Sequence, residues 1–185
     1  MHHDEELHLA RRQRASRDSK LNRHIALVGF MGAGKSSVGA LLAERLGRPF
    51  VDTDASIEQL SGRTVQELFA LGESEFRAEE AAAIRRIIAG PPAVIALGGG
   101  ALEREETREL LGASCFVVHL HLSWADVRSA LPALTPDRPL LQQPLADVHR
   151  LYLDRQKSYR GADVRIDAPR DVEQAVERVL AALRR

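Results

Sequence analysis

A glycine-rich loop with one lysine follows the first apolar run of the chain. The stretch GFMGAGKSS, residues 29–37, fits the pattern G-x-x-x-x-G-K-[ST] at Gly29, Gly34, Lys35 and Ser36. In this pattern backbone N–H groups surround a phosphate, the lysine reaches the β- and γ-phosphates, and the hydroxyl ligates magnesium. A helix that begins at the loop points its positive dipole end at the same place. The loop therefore predicts a site for a nucleoside triphosphate and its magnesium ion.

Two aspartates follow the second apolar run, in the sequence DTD. Because Asp52 and Asp54 alternate with Thr53, they are expected on the same side of an extended backbone. One carboxylate could hold hydrated magnesium while the other faces a substrate hydroxyl. The alternative is that Asp54 caps the next helix, and the two roles can coexist.

Three consecutive glycines, Gly98, Gly99 and Gly100, end the third apolar run. Glycines at a strand end let another molecule approach the main chain closely, although a tight turn is an equally good interpretation.

Arginines supply the remaining recognition: Arg77 in GESEFRAEE, Arg138 in PDRPLL and Arg155 in YLDRQKSY. A guanidinium fork suits a carboxylate or a transferring phosphoryl group, whereas most arginines in any chain are solvated at the surface.

Short β-branched runs that alternate with longer helical stretches indicate the scaffold for these residues. Strands are predicted at 24–29, 49–54, 93–99, 115–122 and 162–167. Helices are predicted at 34–46, 55–61, 64–89 with a break near Gly72, 103–111, 123–131, 146–160 and 169–184. This alternation favours an α/β fold with a parallel sheet covered on both faces. Ligands of such sheets bind at the carboxyl ends of the strands, so the residues named above are expected to converge.

Composition limits the classes of function. The 26 basic and 26 acidic side chains give a formal net charge of zero, unlike the basic footprint of a nucleic-acid-binding protein. No apolar stretch approaches the ~18 residues that a membrane span requires. The single cysteine, Cys115, lies in an apolar run and is expected to be a buried, inert thiol of a reducing compartment. We expect a cytoplasmic protein that binds neither nucleic acid nor membrane.

The chain is long enough for one domain with its own core. Residues 1–22 mix both charges with few apolar positions and are predicted to form a flexible N-terminal arm. Residues 23–185 form the predicted domain. Within it, residues 131–146 contain four prolines without periodicity and are expected to form a lid.

Six segments together are more specific than the phosphate loop alone. In order and approximate spacing, the chain resembles shikimate kinase from about residue 24 to 184, through GFMGAGKSSVG, FVDTDASIE, GESEFRAEE, ALGGGA, DRPLL and DRQKSYRGAD. The resemblance implies a P-loop NTPase fold of the nucleoside-monophosphate-kinase-like type: three α/β/α layers around a five-stranded parallel sheet. It also implies a monomeric enzyme that uses ATP and Mg²⁺ to phosphorylate the 3-hydroxyl of shikimate.

The resemblance also implies roles for individual residues. For ATP it implies Gly32, Ala33, Gly34, Lys35, Ser36, Ser37 and Arg138. For magnesium it implies Ser36 and Asp52. For shikimate it implies Asp54, Phe69, Phe76, Arg77, Glu80, Gly98, Gly99, Gly100 and Arg155. Catalysis is assigned to Lys35, Asp54 and Arg138.

Two other functions stay open at this point. The same chemistry could serve another acceptor, such as gluconate or a cyclitol, but a neutral cyclitol would leave two buried guanidinium groups unpaired. A domain of this kind could instead have become a ligand sensor, which would no longer need Lys35, Asp54 or Arg138. All three residues are present, which favours the enzyme.

Overall fold

The computed structural model describes residues 20, 22–134, 139–167 and 171–185. Among them, five strands form one parallel sheet in the order β2-β3-β1-β4-β5. The strands are β1 His24–Val28, β2 Phe50–Asp52, β3 Val94–Ala96, β4 Cys115–His121 and β5 Val164–Asp167. The predicted five-stranded parallel sheet is confirmed.

Eight α-helices lie in the described part of the chain. They are α1 Lys35–Leu46, α2 Thr53–Ser61, α3 Val65–Leu71, α4 Glu73–Ile88, α5 Glu105–Ser114, α6 Trp124–Leu134, α7 Leu145–Ser158 and α8 Val172–Leu183. Short 3-10 turns lie at Ala101–Glu103, Pro139–Leu141 and Tyr159–Gly161.

The central strand β1 is buried on both faces, which explains its unbroken apolar sequence. Its alternate residues enter two different cores. Ile25 and Leu27 belong to the core that includes residues of α1 and α8. Ala26 and Val28 belong to the core that includes Ile84 of α4 and Leu111 of α5. The sheet therefore has a helical layer on each face, as the three-layer prediction requires.

Local signals in the sequence set several helix boundaries. Gly34 (φ 76°) precedes α1, and Gly47 (φ 61°) ends it, both in the left-handed conformation that favours glycine. Thr64 and Glu67 form a capping box at the start of α3. The predicted break at Gly72 is also present, because its φ of 142° separates α3 from α4.

The helix predicted at 123–131 continues to Leu134, with Pro132 inside it. A proline removes one helical hydrogen bond. Leu131 and Leu134 nevertheless pack against the apolar cluster around Phe30 and Val127, and this burial offsets the loss. The first residues of the predicted lid are thus helical.

Two predictions fall wholly or partly beyond the described residues. Residues 135–138 of the predicted lid lie outside them, as do residues 1–19 and 21 of the predicted arm. The prediction for Cys115 is confirmed as to burial: the side chain is fully buried, and burial raises the pKa of its thiol to about 12. In the described part of the chain, none of the helices combines the length and apolarity needed to cross a membrane.

Candidate active site

The phosphate loop connects β1 to α1 and folds around its own lysine. Lys35 Nζ donates to the carbonyl oxygens of Gly29 (2.8 Å) and Phe30 (3.3 Å). The Ala33 amide also donates to the Phe30 carbonyl (3.1 Å), and the Ala33 side chain is buried. Gly32, Gly34, Ser36 and Ser37 are exposed. The loop thus presents an open rim of small residues at the N-terminal end of α1, where an anion is favoured.

Asp52 links this loop to the second strand. Its Oδ2 accepts a hydrogen bond from the Ser36 hydroxyl (2.8 Å), and its Oδ1 accepts from the amides of Asp54 (3.0 Å) and Ala55 (3.4 Å). The expectation that Asp52 and Asp54 share one side of an extended strand is wrong, because the chain becomes helical at Thr53. Asp52, and not Asp54, is the residue that caps α2.

The oxygen pair of Ser36 and Asp52 fits a magnesium ion. Mg²⁺ prefers hard oxygen ligands and keeps several waters, so a hydroxyl and one or two carboxylates suffice together with substrate phosphates. The described residues contain no group of three or more His, Cys, Asp or Glu side chains placed to hold a metal.

Thr53 is buried and connects two strand ends, a role that the sequence analysis missed. Its hydroxyl donates to the Ala96 carbonyl (3.2 Å) and accepts from the Gly98 amide (3.0 Å). No motif in the sequence marks this role, because the contacts join residues that are more than 40 positions apart in the chain. Thr53 thereby fixes the start of the glycine segment against α2.

The segment Gly98–Gly100 adjoins every other part of the site. A Cβ atom built on Gly98 would lie 2.8 Å from Glu80 Oε1 and 3.0 Å from Asp54 Oδ1. One built on Gly99 would lie 3.8 Å from the Gly29 carbonyl oxygen in the phosphate loop. One built on Gly100 would collide with the guanidinium groups of Arg77 and Arg155. At Gly98 and Gly100 the neighbouring side chains therefore leave no space for a Cβ, whereas a Cβ on Gly99 would make only ordinary contacts.

Arg77 and Arg155 are both buried and converge from different helices. Arg77 lies on α4 and Arg155 on α7, and each side chain is less than 10% exposed. Arg77 Nη1 donates to Glu80 Oε2 at 2.7 Å, as expected for residues one turn apart on a helix. Buried guanidinium groups require anionic partners, so this pair is a strong site for a carboxylate.

Glu103 also contacts both arginines and was missed by the sequence analysis. Its Oε2 lies 3.2 Å from Arg77 Nη2 and 2.9 Å from Arg155 Nη1. The side chain is 36% exposed and belongs to the turn that follows the three glycines. No motif marks it, because the contact depends on how the turn faces α4 and α7.

Burial and charge oppose each other at the Arg77–Glu80 pair. Burial disfavours the charged guanidinium, but the carboxylates around it, Glu80 foremost, outweigh this and raise the pKa of Arg77 above its usual value. Burial raises the pKa of Glu80, Arg77 acts in the opposite direction, and the charge of Asp54 adds a smaller upward shift. Arg77 therefore remains a cation, held in place by a carboxylate that burial makes less acidic.

Aromatic side chains support both halves of the site. Phe76 is buried and stacks on Phe69, with ring centroids 4.3 Å apart. The Arg77 guanidinium lies 5.2 Å from the Phe76 ring centroid, a favourable cation–π distance. On the other side, the Tyr159 hydroxyl donates to the Gly99 carbonyl (2.6 Å). Of the predicted site residues, only Arg138 lies outside the described residues.

Comparisons with known proteins agree with this geometry. A family model described as shikimate kinase matches residues 31–184. The chain is 43% identical over 169 residues to shikimate kinase of Bradyrhizobium diazoefficiens, with 87% of this chain and 81% of the relative covered. It is 46% identical over 153 residues to shikimate kinase of Nitrobacter winogradskyi, with 81% and 71% covered.

Solved structures of a shikimate kinase and of a gluconokinase are similar to this chain. Shikimate kinase from Acinetobacter baumannii in complex with shikimate superposes with a TM-score of 0.82 at 33% identity, covering 91% of this chain and 96% of that one. A gluconokinase from Sinorhizobium meliloti superposes with a TM-score of 0.60 at 24% identity, covering 89% and 93%. The second likeness shows the fold alone.

Proposed function

The chain belongs to the shikimate kinase family, and from this premise we propose how its residues perform the reaction. The enzyme transfers the γ-phosphoryl group of ATP to the 3-hydroxyl of shikimate, which yields shikimate 3-phosphate and ADP for aromatic amino acid biosynthesis. The assignment of each step to a residue is the proposal developed below.

One observation supports the proposal above all others. The glycine segment 98–100 lies against the phosphate loop through Gly99, against Asp54 through Gly98 and against the two arginines through Gly100. A molecule resting on this segment would therefore be within reach of a triphosphate site and an organic-acid site together. Direct phosphoryl transfer requires this proximity.

On the nucleotide side, the loop amides and Lys35 hold the phosphates. We assign Ser36 and Asp52 to the magnesium ion, Ser36 as a direct ligand and Asp52 through the metal's water shell. The ion, when bound, neutralises charge on the phosphates. Lys35 would exchange its present contacts with the loop carbonyls for phosphate oxygens. The lid arginine Arg138 is assigned to the transferring phosphoryl group.

On the acceptor side, Arg77 and Arg155 grip the carboxylate of shikimate, and Asp54 binds its hydroxyls. Shikimate is a small polyol with one carboxylate, so a guanidinium pair at one end and an aspartate at the other fix its orientation. Because the transition state of phosphoryl transfer is loose in most analyses, Asp54 acts mainly by orienting the 3-hydroxyl toward the phosphate and accepts its proton late.

We also propose that the enzyme acts as a cytoplasmic monomer that does not bind nucleic acid. All the groups assigned to ATP, magnesium and shikimate come from a single chain. The formal net charge of zero gives no general attraction to a polyanion.

The experiment is a coupled ADP-release assay with shikimate, quinate and gluconate in parallel, each with and without magnesium. The proposal predicts magnesium-dependent turnover that is fastest with shikimate. Turnover with gluconate alone would overturn the assignment of shikimate as the substrate. Shikimate binding without turnover would identify a sensor.

A further inference from the structure

Glu103 has no part in the reaction described above, yet it lies at the centre of the acid-binding pair. One carboxylate oxygen, Oε2, bridges Arg77 Nη2 (3.2 Å) and Arg155 Nη1 (2.9 Å). The arginine side chains are 9% and 6% exposed, while that of Glu103 is 36% exposed. An acidic side chain at the rim of the site thus reaches inward to two buried cations.

The nitrogens that Glu103 contacts are the ones that face the substrate. Arg77 Nη2 and Arg155 Nη1 are the atoms that a Cβ on Gly100 would strike, so they border the glycine segment on which shikimate is proposed to rest. The Glu103 carboxylate therefore occupies the position between the two guanidinium groups that the substrate carboxylate is expected to take.

The contact is poorly suited to holding the arginines in place. Arg155 Nη1 is buried and, among the residues that the structure describes, has no hydrogen-bond partner despite its closeness to Glu103. Arg77 is already fixed on its other nitrogen by Glu80 at 2.7 Å. Glu103 is partly exposed, so its carboxylate can return to water while the substrate carboxylate replaces it as the anionic partner of the buried arginines.

The charge balance also opposes a second anion while Glu103 stays in place. Glu73, Glu80 and Glu103 already set three carboxylates against the two guanidinium groups. A substrate carboxylate would be the fourth. Withdrawal of Glu103 toward solvent leaves both arginines available, and the partial exposure of the side chain provides the path.

We propose that Glu103 is an internal competitor that sets the affinity of the enzyme for its acidic substrate. Its carboxylate pairs with Arg77 and Arg155 until the carboxylate of shikimate displaces it, so part of the binding free energy is spent on this exchange. The inference rests on the proposed function, because it assumes that the arginine pair binds the substrate carboxylate.

The test compares shikimate with its carboxamide, which has the same ring and hydroxyls but no negative charge. Isothermal titration calorimetry would measure Kd for both ligands with the wild-type enzyme, Glu103→Gln and Glu103→Ala. Removal of a competing, partly exposed charge should lower Kd for shikimate by about 3- to 10-fold in both variants. Kd for the carboxamide should fall less, because the carboxamide must also displace Glu103 but is not repelled by its charge.

The control Glu106→Gln removes an equal charge from an exposed position nearby, where the carboxylate lies 3.8 Å from Arg104. It should leave both Kd values unchanged. Thermal melting of each variant confirms that it is folded. An unchanged or raised Kd for shikimate in both Glu103 variants would overturn the inference. An equally large decrease in Kd for the carboxamide would also overturn it.

A second variant separates this inference from the proposed function. Arg155→Lys loses the guanidinium fork and should weaken shikimate binding at least 10-fold if the arginine pair binds the carboxylate. If Arg155→Lys weakens binding while the Glu103 variants do not strengthen it, only the inference fails. If Arg155→Lys binds shikimate as tightly as the wild-type enzyme, the assigned site itself is wrong.

Discussion

At the scale of single residues, Asp54 is the group on which the proposed chemistry depends most. It lies in the first turn of α2, which Asp52 caps, and its carboxylate borders Gly98 beside Glu80. Asp54 thus adjoins the same glycine segment that borders the phosphate loop and the arginine pair. A carboxylate here can receive the substrate hydroxyl that attacks the phosphate.

The substitution Asp54→Asn keeps the shape of the side chain and removes its charge. We expect kcat to fall by at least about 100-fold, the size of a general acid–base or orienting contribution, while Kd for shikimate rises only modestly. Steady-state kinetics and calorimetry measure the two effects. The matched control is Glu79→Gln, which removes the same charge from an exposed residue of α4. Near-normal turnover by Asp54→Asn would contradict both the orienting role and the role as proton acceptor.

The residues of the site differ in how well the sequence could predict them. The phosphate loop was predictable because its residues are contiguous and its chemistry depends on local backbone shape. Thr53 and Glu103 were not, because their contacts join segments that are distant in sequence. The Thr53 hydroxyl meets Ala96 and Gly98, and only the folded sheet brings these strand ends together.

At the scale of elements, the site is made where strand ends and helix starts meet. The phosphate loop connects β1 to α1, β2 and α2 supply the two aspartates, and the glycines follow β3. The helix α4 then presents Arg77 and Glu80 one turn apart. Since parallel strands have their carboxyl ends on one edge, the arrangement follows from the topology.

The glycine segment gives a prediction at this scale. In Gly100→Ala the new Cβ would collide with Arg77 and Arg155, which should spread the guanidinium pair and raise Kd for shikimate at least 10-fold. Binding of ATP should be unchanged, because the phosphate loop is not touched. Calorimetry with each ligand measures both effects.

The matched control is Gly112→Ala in α5, where a Cβ meets nothing within 4 Å. It should leave shikimate binding unchanged and stabilise the helix by about 0.5–1 kcal/mol. Tight shikimate binding by Gly100→Ala would show that the positions of Arg77 and Arg155 do not require the absence of a side chain at residue 100.

The limits of most elements were predicted to within a few residues, and the exceptions have physical reasons. α6 extends to Leu134 because tertiary packing of leucines outweighs the proline within the helix. α2 begins at Thr53, earlier than predicted, because Asp52 provides a cap that ends the strand. In both places long-range contacts or a cap overrode the local pattern.

At the scale of the whole molecule, His119 should make stability depend on pH. It is buried on β4 next to Tyr159, and its Nε2 finds no hydrogen-bond partner in the described part of the chain. Burial, with a smaller contribution from His121, lowers the pKa of His119 from 6.5 to about 4. The unfolded chain therefore binds a proton between these pH values that the folded chain does not, and stability falls as pH decreases through this range.

The substitution His119→Gln removes this pH-dependent contribution to the free energy of unfolding. Between pH 7 and pH 5 the wild-type protein should lose about 1–2 kcal/mol of unfolding free energy more than the variant does. Urea denaturation at the two pH values measures the difference, and it is independent of any constant destabilisation by the glutamine. Equal losses in the two proteins would mean that His119 titrates normally in the folded state.

The central claim is that the triphosphate site and the organic-acid site open into one cleft, close enough for direct transfer. A crystal structure of the enzyme with magnesium, a non-hydrolysable ATP analogue and shikimate tests it most directly. The account predicts the shikimate carboxylate between Arg77 and Arg155, with the 3-hydroxyl oxygen in line with the γ-phosphorus at about 3–3.5 Å. Shikimate bound in a separate cavity, or with its carboxylate away from both arginines, would contradict it.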